Sequence, residues 1–82
     1  MNYQILITTV GKSDEEILSI LKTNNVHGNI LVGNQKSKTD SKRVLKSGDD
    51  SITIYNQTSV GVSANRNFLL KNASADYVLF ID

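Results

Sequence analysis

The residues best suited to bind a ligand lie where apolar stretches of the chain end. Arg66 offers a cation, and Asp82 offers a carboxylate directly after the apolar run 77–81. Hydroxyl and amide groups follow the other apolar stretches, at Thr8, Thr9, Asn34, Gln35, Asn56 and Gln57. A cation, an anion and several hydrogen-bonding groups together suit a ligand that carries phosphate and other polar groups.

These side chains can act together only if the secondary structure brings them to one place. Four short apolar segments, 5–7, 29–33, 51–55 and 77–81, have the length and β-branched content of strands. Helical patterns separate the first two and the last two, so the order β-α-β-β-α-β predicts an α/β fold with a mainly parallel four-stranded sheet. Because ligands bind beyond the carboxyl ends of such strands, we expect the polar residues to share one edge.

Two segments have the pattern of amphipathic helices that pack on a sheet. The first begins with a capping-box sequence, Ser13 to Glu16, in which each side chain can bond the backbone of the other. Its apolar face is predicted to consist of Ile17, Leu18, Ile20 and Leu21. The second helix follows Gly61 and is expected to be capped by Ser63 or Ser59. Its apolar face is predicted to consist of Ala64, Phe68 and Leu69.

Residues 35–50 have a different composition. They include four lysines, one arginine and three aspartates, and their only apolar residues are Val44 and Leu45. This composition predicts a long, mobile surface loop, with at most one weak helical turn around Val44. A DNA-binding role for the basic residues is less favoured, because acids are interspersed among them and aromatic residues are absent.

The overall composition excludes several other classes of protein. The 82 residues form at most one small domain, and their formal charge of +1 gives no electrostatic basis for binding nucleic acid. The absence of cysteine excludes a disulfide framework and a thiolate metal site. No apolar run approaches the ~20 residues of a membrane span, and no basic leader precedes the first strand. We therefore predict a cytoplasmic protein.

Two segments, taken together, resemble a known enzyme family. Residues 61–67 read Gly-Val-Ser-Ala-Asn-Arg-Asn, and residues 73–82 read Ala-Ser-Ala-Asp-Tyr-Val-Leu-Phe-Ile-Asp. In this order and spacing they are similar to the inverting family 2 glycosyltransferases of the GT-A fold. The pair Asn34-Gln35 looks like a subset of bacterial enzymes that make capsule or cell-surface polysaccharide. The resemblance implies that residues 1–82 are the Rossmann-like, nucleotide-binding half of a GT-A domain, ending inside its Asp-x-Asp motif at Asp82.

The resemblance also implies a ligand and the residues that would hold it. A nucleotide sugar, most simply a UDP-sugar, would lie against Thr8, Thr9, Asn34, Gln35, Arg66 and Asp82. Asp82 would be part of an incomplete Mn²⁺ or Mg²⁺ site that fills only in a longer enzyme, and this portion alone is expected to bind no metal. Many relatives carry an acid at the position of Asn34, so the nucleobase stays open.

No catalytic residue is assigned within residues 1–82. The acceptor-binding half and the catalytic base are expected beyond Asp82, so this portion alone is expected not to turn over. Two alternatives remain open. One is a non-catalytic nucleotide-binding or assembly module of similar topology. The other is a receiver-like domain with Asp82 as phosphoacceptor, which is disfavoured because Thr8 and Thr9 replace the expected acidic pair.

The last predicted strand, residues 77–81, carries a prediction about association. It is apolar, and we expect it to leave one edge of the sheet open, with unpaired backbone groups along it. From this we predict a homodimer that pairs through this edge. The longer enzyme is expected to be a candidate for peripheral attachment to a membrane.

Overall fold

The structure, a computed structural model, describes residues 3–81. Its elements in chain order are β1 (Tyr3–Val10), α1 (Asp14–Thr23), β2 (Asn29–Gln35), β3 (Ser41–Ser47), β4 (Asp50–Asn56), α2 (Val62–Asn72) and β5 (Tyr77–Ile81). The five strands form one sheet in the order β3-β4-β2-β1-β5. The chain is therefore a small α/β protein with a mixed sheet and two helices.

Four of the strands run parallel, as the sequence predicts. β1 pairs with β2 and with β5, and β2 also pairs with β4. The register places Thr9 beside Asn34, and Asn34 beside Asn56. The polar residues that end these three strands therefore do lie in one row at one edge of the sheet.

The prediction of a loop over residues 35–50 is wrong for its second half. Residues Ser41–Ser47 form β3, which pairs antiparallel with β4 across a tight turn at Gly48 and Asp49. The sheet is therefore five-stranded and mixed, not four-stranded and parallel. β3 lacks a strand-like apolar pattern because it lies at the edge, where only Leu45 packs against the core and the other side chains are exposed. The weak helical turn predicted around Val44 is wrong for the same reason.

Helix α1 forms where its sequence predicts, but Ile20, predicted to belong to its apolar face, is exposed. Ser13 Oγ accepts a hydrogen bond from Glu16 N at 3.2 Å, and Glu16 Oε1 accepts one from Ser13 N at 3.0 Å. This capping box is complete. Ile17 and Leu21 are buried against the sheet. Local hydrogen bonds thus fix where α1 begins, and two apolar side chains fix which face packs inward.

Successive residues of a strand point to opposite faces of a sheet, and the two helices cover opposite faces here. Ile5 of β1 clusters with Ile17 of α1. Its neighbour Leu6 clusters instead with Leu69 of α2. Any side chain of the sheet can therefore be assigned to the α1 face or to the α2 face.

Helix α2 forms in the predicted place, but its cap and one buried position differ from the prediction. Gly61, with φ of 137°, occupies the N-cap position and no side chain caps the helix. Leu69 is buried and Phe68 is half-buried, whereas Ala64 is exposed and Asn65 takes the inward position. Asn65 faces the sheet because it finds hydrogen-bond partners there, and an apolar pattern cannot reveal this.

Strand β5 is the second edge of the sheet, as the sequence predicts. Within residues 3–81 it pairs only with β1. Its side chains Tyr77, Val78 and Leu79 are exposed. Phe80 contacts the α2-face cluster, and Ile81 contacts the α1-face cluster.

Candidate functional site

The ends of three parallel strands are joined by side-chain hydrogen bonds. Thr9 Oγ1 donates to Asn34 Oδ1 at 2.9 Å, and Asn34 Nδ2 donates to Asn56 Oδ1 at 2.9 Å. Thr9 and Asn34, predicted as neighbours in a binding site, are therefore in direct contact. Asn56 joins them on the third strand.

The side chain of Asn34 uses its full hydrogen-bonding capacity inside the protein. Its Oδ1 also accepts from Lys12 N at 3.0 Å, and its Nδ2 also donates to Lys12 O at 2.7 Å. Only 1% of the residue is exposed. An amide has two donor hydrogens and two acceptor sites, and here all four are engaged. Asn34 thus fixes the backbone of the loop after β1, and contact with a nucleobase would require one of these bonds to break.

Gln35, the next predicted site residue, is also held within the protein. Its side chain accepts from Gly61 N at 3.1 Å and donates to Gly61 O at 3.0 Å. The residue is buried. Gln35 therefore joins the end of β2 to the start of α2.

A cavity of about 570 Å³ opens at this polar edge, between the loop after β1 and the segment that leads into β3. Its charged lining residues are Lys12, Lys36, Lys38, Arg43, Asp14 and Glu15. Arg43 Nη1 pairs with Asp14 Oδ2 at 2.8 Å. None of the three lysines takes part in an ion pair within residues 3–81. The cavity is therefore polar, open and more basic than acidic, which suits an anionic ligand.

Arg66 lies on the other face of the sheet. Its guanidinium carbon is 4.4 Å from the centre of the Phe80 ring, near the end of β5. Thr9 and Asn34 are on the α1 face, whereas Arg66 and the side chain of Gln35 are on the α2 face. The described contacts thus do not unite the predicted residues in one pocket: they form two groups at the same edge.

The remaining predicted residues are Thr8 and Asp82. Thr8 is half-buried and borders a second cavity, of about 460 Å³, between α1 and the ends of β1 and β5. Asp82, and with it the predicted metal ligand, lies outside the described residues. Residues 3–81 contain no cluster of three or more histidine, aspartate or glutamate side chains that could hold a metal ion.

Sequence reasoning missed a buried amide cluster beneath α2. Asn65 Nδ2 donates to Gly33 O at 2.9 Å, and Asn65 Oδ1 accepts from Gln57 Nε2 at 2.9 Å. A Cβ atom at Gly33 would collide with Asn65 Oδ1. An isolated glycine inside an apolar strand is a recognised sign of close approach, so Gly33 was the available signal.

A charged cluster lies at the opposite end of the sheet, far along the strands from the candidate site. Asp50 Oδ2 is 2.9 Å from His27 Nδ1, and Asp50 Oδ1 accepts from Gly28 N at 2.7 Å. The bonds from His27 and then Gly28 lower the pKa of Asp50. His27 reads from the sequence as a solvated loop residue, yet its exposed ring is hydrogen-bonded to Asp50 and to Asn25 Oδ1. This cluster ties the loop after α1 to the start of β4.

Comparison with known proteins finds no relative of this chain. No protein-family model matches the chain, and no curated protein or solved structure matches it either. Within residues 3–81, neither helix is long and apolar enough to cross a membrane.

Proposed function

We propose that this chain is the nucleotide-sugar-binding portion of a GT-A-type glycosyltransferase that acts on a carbohydrate or lipid-linked acceptor. One observation carries the proposal: a hydrogen-bonded row, Thr9–Asn34–Asn56, ends three parallel strands beside a cavity lined by lysines. Carboxyl ends of parallel strands are the usual ligand-binding edge of such sheets. The resemblance of residues 61–67 and 73–82 to family 2 enzymes supplies the class of ligand.

The charges at this edge support an anionic donor such as a UDP-sugar. Lys12, Lys36 and Lys38 line the cavity on the α1 face of the sheet, and Arg66 stands beside the end of β5 on the α2 face. Hydrogen bonds from lysine or arginine side chains to phosphate oxygens are charge-assisted, and they are stronger than hydrogen bonds between neutral groups. The diphosphate is therefore the part of the donor that these residues would hold.

In an inverting transfer, an acceptor hydroxyl attacks the anomeric carbon of the donor sugar while the bond to the diphosphate breaks. Negative charge then grows on the departing UDP, and fixed cations at this edge would stabilise it. The base that takes the hydroxyl proton belongs, in this proposal, to a longer enzyme. The Mn²⁺ or Mg²⁺ ion is assigned to the longer enzyme as well, because such cations take several oxygen ligands and the resemblance supplies only Asp82.

Calorimetric titration with UDP, GDP and CMP in the presence of Mn²⁺ tests the proposal. We expect UDP to bind, and Lys12→Ala or Arg66→Ala to weaken binding about tenfold, the usual size of a charged hydrogen bond. The matched control is Lys46→Ala, which removes the same charge where β3 pairs with Ser51, at the far end of the sheet. Binding that Lys46→Ala weakens equally would contradict the proposed site.

A coupled assay for released nucleoside diphosphate tests the proposal that this chain binds the donor but lacks the catalytic residues. We expect no release from this chain with any sugar donor, because no base is assigned within it. Release above the uncatalysed rate would contradict the assignment of a binding portion without its catalytic residues.

Location and association complete the proposal. We place the protein in the cytoplasm, with peripheral membrane attachment of the longer enzyme, and as a homodimer joined through β5. Light scattering at crystallisation concentration tests the last point, with a dimer expected. Val78→Lys would put a charge on the exposed edge strand and is expected to give monomers. A wild-type monomer under these conditions would contradict the dimer.

A further inference from the structure

Arg66 and Phe80 form the closest contact between a cation and a ring within residues 3–81. The guanidinium carbon lies 4.4 Å from the ring centre of Phe80, whereas Lys42 lies 5.8 Å from the ring centre of Tyr55. A planar guanidinium at such a distance over an aromatic face is held by attraction to the π-electrons.

The ring of Phe80 is itself fixed. Phe80 pairs with Leu6 in the register of β1 and β5, and it packs against the cluster that contains Leu6 and Leu69. The ring therefore contacts the core and the guanidinium of Arg66 at once. This places a cation from α2 next to the carboxyl end of β5.

Stacking holds the face of a guanidinium and leaves the N–H donors at its edges free to bind oxygen atoms. No acidic side chain of residues 3–81 forms an ion pair with Arg66. A held guanidinium loses less conformational freedom when a ligand binds, and its fork matches a phosphate group.

We propose that Phe80 is a positioning residue that holds Arg66 in place for the phosphate groups of the donor. This inference rests on the proposed function and adds to it the residue that orients the cation. Phe80 itself contacts no ligand in this account, and it acts only through Arg66.

A double-mutant cycle with UDP affinity as the readout tests the inference. We expect Phe80→Leu to weaken binding three- to tenfold, Phe80→Tyr to bind as wild type does, and Phe80→Leu to add nothing in an Arg66→Ala background. The matched control is Phe68→Leu, which removes a ring on the same face that makes an edge-to-face contact with Tyr55 and, within residues 3–81, none with an arginine. We expect it to leave UDP affinity within twofold.

A second readout uses the wild-type protein and does not depend on any variant folding. Ring currents of Phe80 should shift the Arg66 side-chain protons upfield in NMR spectra, with and without UDP. Unshifted Arg66 protons, wild-type affinity in Phe80→Leu, or fully additive effects of the two substitutions would overturn the inference alone. Failure of the wild-type chain to bind any nucleotide would overturn the proposed function together with it.

Discussion

Helices α1 and α2 cover opposite faces of one sheet, but different kinds of contact hold them there. α1 has its own capping box and buries Ile17 and Leu21. α2 buries Leu69 but has no side-chain cap, and amide side chains of the sheet, of its loops and of α2 itself hold the helix in place. Gln35 is hydrogen-bonded to Gly61 at the start of α2. Within the helix, Asn65 is hydrogen-bonded to Gly33 and Gln57. Just after the helix, Gln4 Oε1 accepts hydrogen bonds from Ser74 N and Ala75 N.

The difference teaches which parts of the molecule are coupled. The contacts that start α1 are local in sequence, so they can form without the sheet. The contacts of α2 come from distant residues, and one of them, Gln35, directly follows Asn34 of the candidate site. We therefore expect changes beneath α2 to affect folding and ligand binding together, and removal of the α1 cap to weaken the first turn of α1.

Gly33→Ala should have the largest effect on the α2 side. The new Cβ would collide with Asn65 Oδ1, so that Asn65 must leave its bonds or β2 must shift. We expect the free energy of unfolding to fall by about 3 kcal/mol or more, as measured by urea denaturation. Gly11→Ala is the control, because no atom lies within 4 Å of its Cβ and only the positive φ costs it about 1–2 kcal/mol. Equal losses would argue against the close approach at Gly33.

Asn65→Ala removes the amide that the glycine accommodates. It removes a buried hydrogen bond to Gly33 O and a half-buried one from Gln57 Nε2, so we expect a loss of about 2–3 kcal/mol in unfolding free energy. Asn67→Ala, on the exposed side of the same helix, should stay within about 0.5 kcal/mol of wild type. A similar result for both asparagines would remove the basis for the comparison of the helices.

Ser13→Ala should have a smaller effect, on the α1 side. It removes one capping hydrogen bond and should cost about 1 kcal/mol in thermal or urea unfolding. Ser19→Ala, at an exposed position inside the same helix, should be neutral or slightly stabilising because alanine favours helix. A loss of stability in Ser19→Ala as large as that in Ser13→Ala would contradict the contribution of the cap.

Acid should loosen the α1 side selectively, although each contribution is small because Glu16 is exposed and Asp50 is only half-buried. Backbone and side-chain hydrogen bonds with Ser13 lower the pKa of Glu16, and bonds from His27 and Gly28 lower that of Asp50. A carboxyl group whose pKa is lowered in the folded state stabilises the fold at pH values above its ordinary pKa, which is 4.5 for Glu16 and 3.8 for Asp50. This stabilisation is lost as the pH falls through the folded-state pKa.

Hydrogen exchange of backbone amides at pH 6 and at pH 3 measures this difference, after correction for intrinsic exchange rates. Protection should fall more in α1 and the following loop than in α2, whose amide contacts do not titrate. Glu16→Gln and Asp50→Asn should each reduce the dependence on pH. A uniform loss of protection in both helices would contradict the account.

The contrast between the helices also explains how much of the fold could be predicted. The capping box and the apolar spacing of Ile17 and Leu21 are local signals, so the start of α1 and these two buried positions could be predicted, although Ile20 is exposed. The inward position of α2 could not, because Asn65 is polar and its partners, Gly33 and Gln57, become visible only in the folded sheet. β3 was missed because an edge strand with exposed side chains needs no apolar pattern.

The candidate site, like the fold, could be predicted only in part. Parallel strands bring their ends together whatever their side chains are, so the contact of Thr9 with Asn34 followed from element order alone. The sequence could not say that Asn34 is saturated by Lys12 and Asn56, since that depends on the path of the loop after β1. Nor could it say that Arg66 lies on the opposite face, because this depends on the strand order. The right-handed crossovers from β1 to β2 and from β4 to β5 run in opposite directions along the sheet, so α1 and α2 lie on opposite faces.

The most direct test of the central claim is an NMR titration of the ¹⁵N-labelled chain with UDP and Mg²⁺. If the carboxyl edge of the parallel strands binds the nucleotide, shift changes will concentrate at Lys12, residues 36–38 and the Arg66 side chain, and Gly28 and Asp50 will not change. Absence of shifts at millimolar UDP, or shifts centred on Gly28 and Asp50, would contradict it.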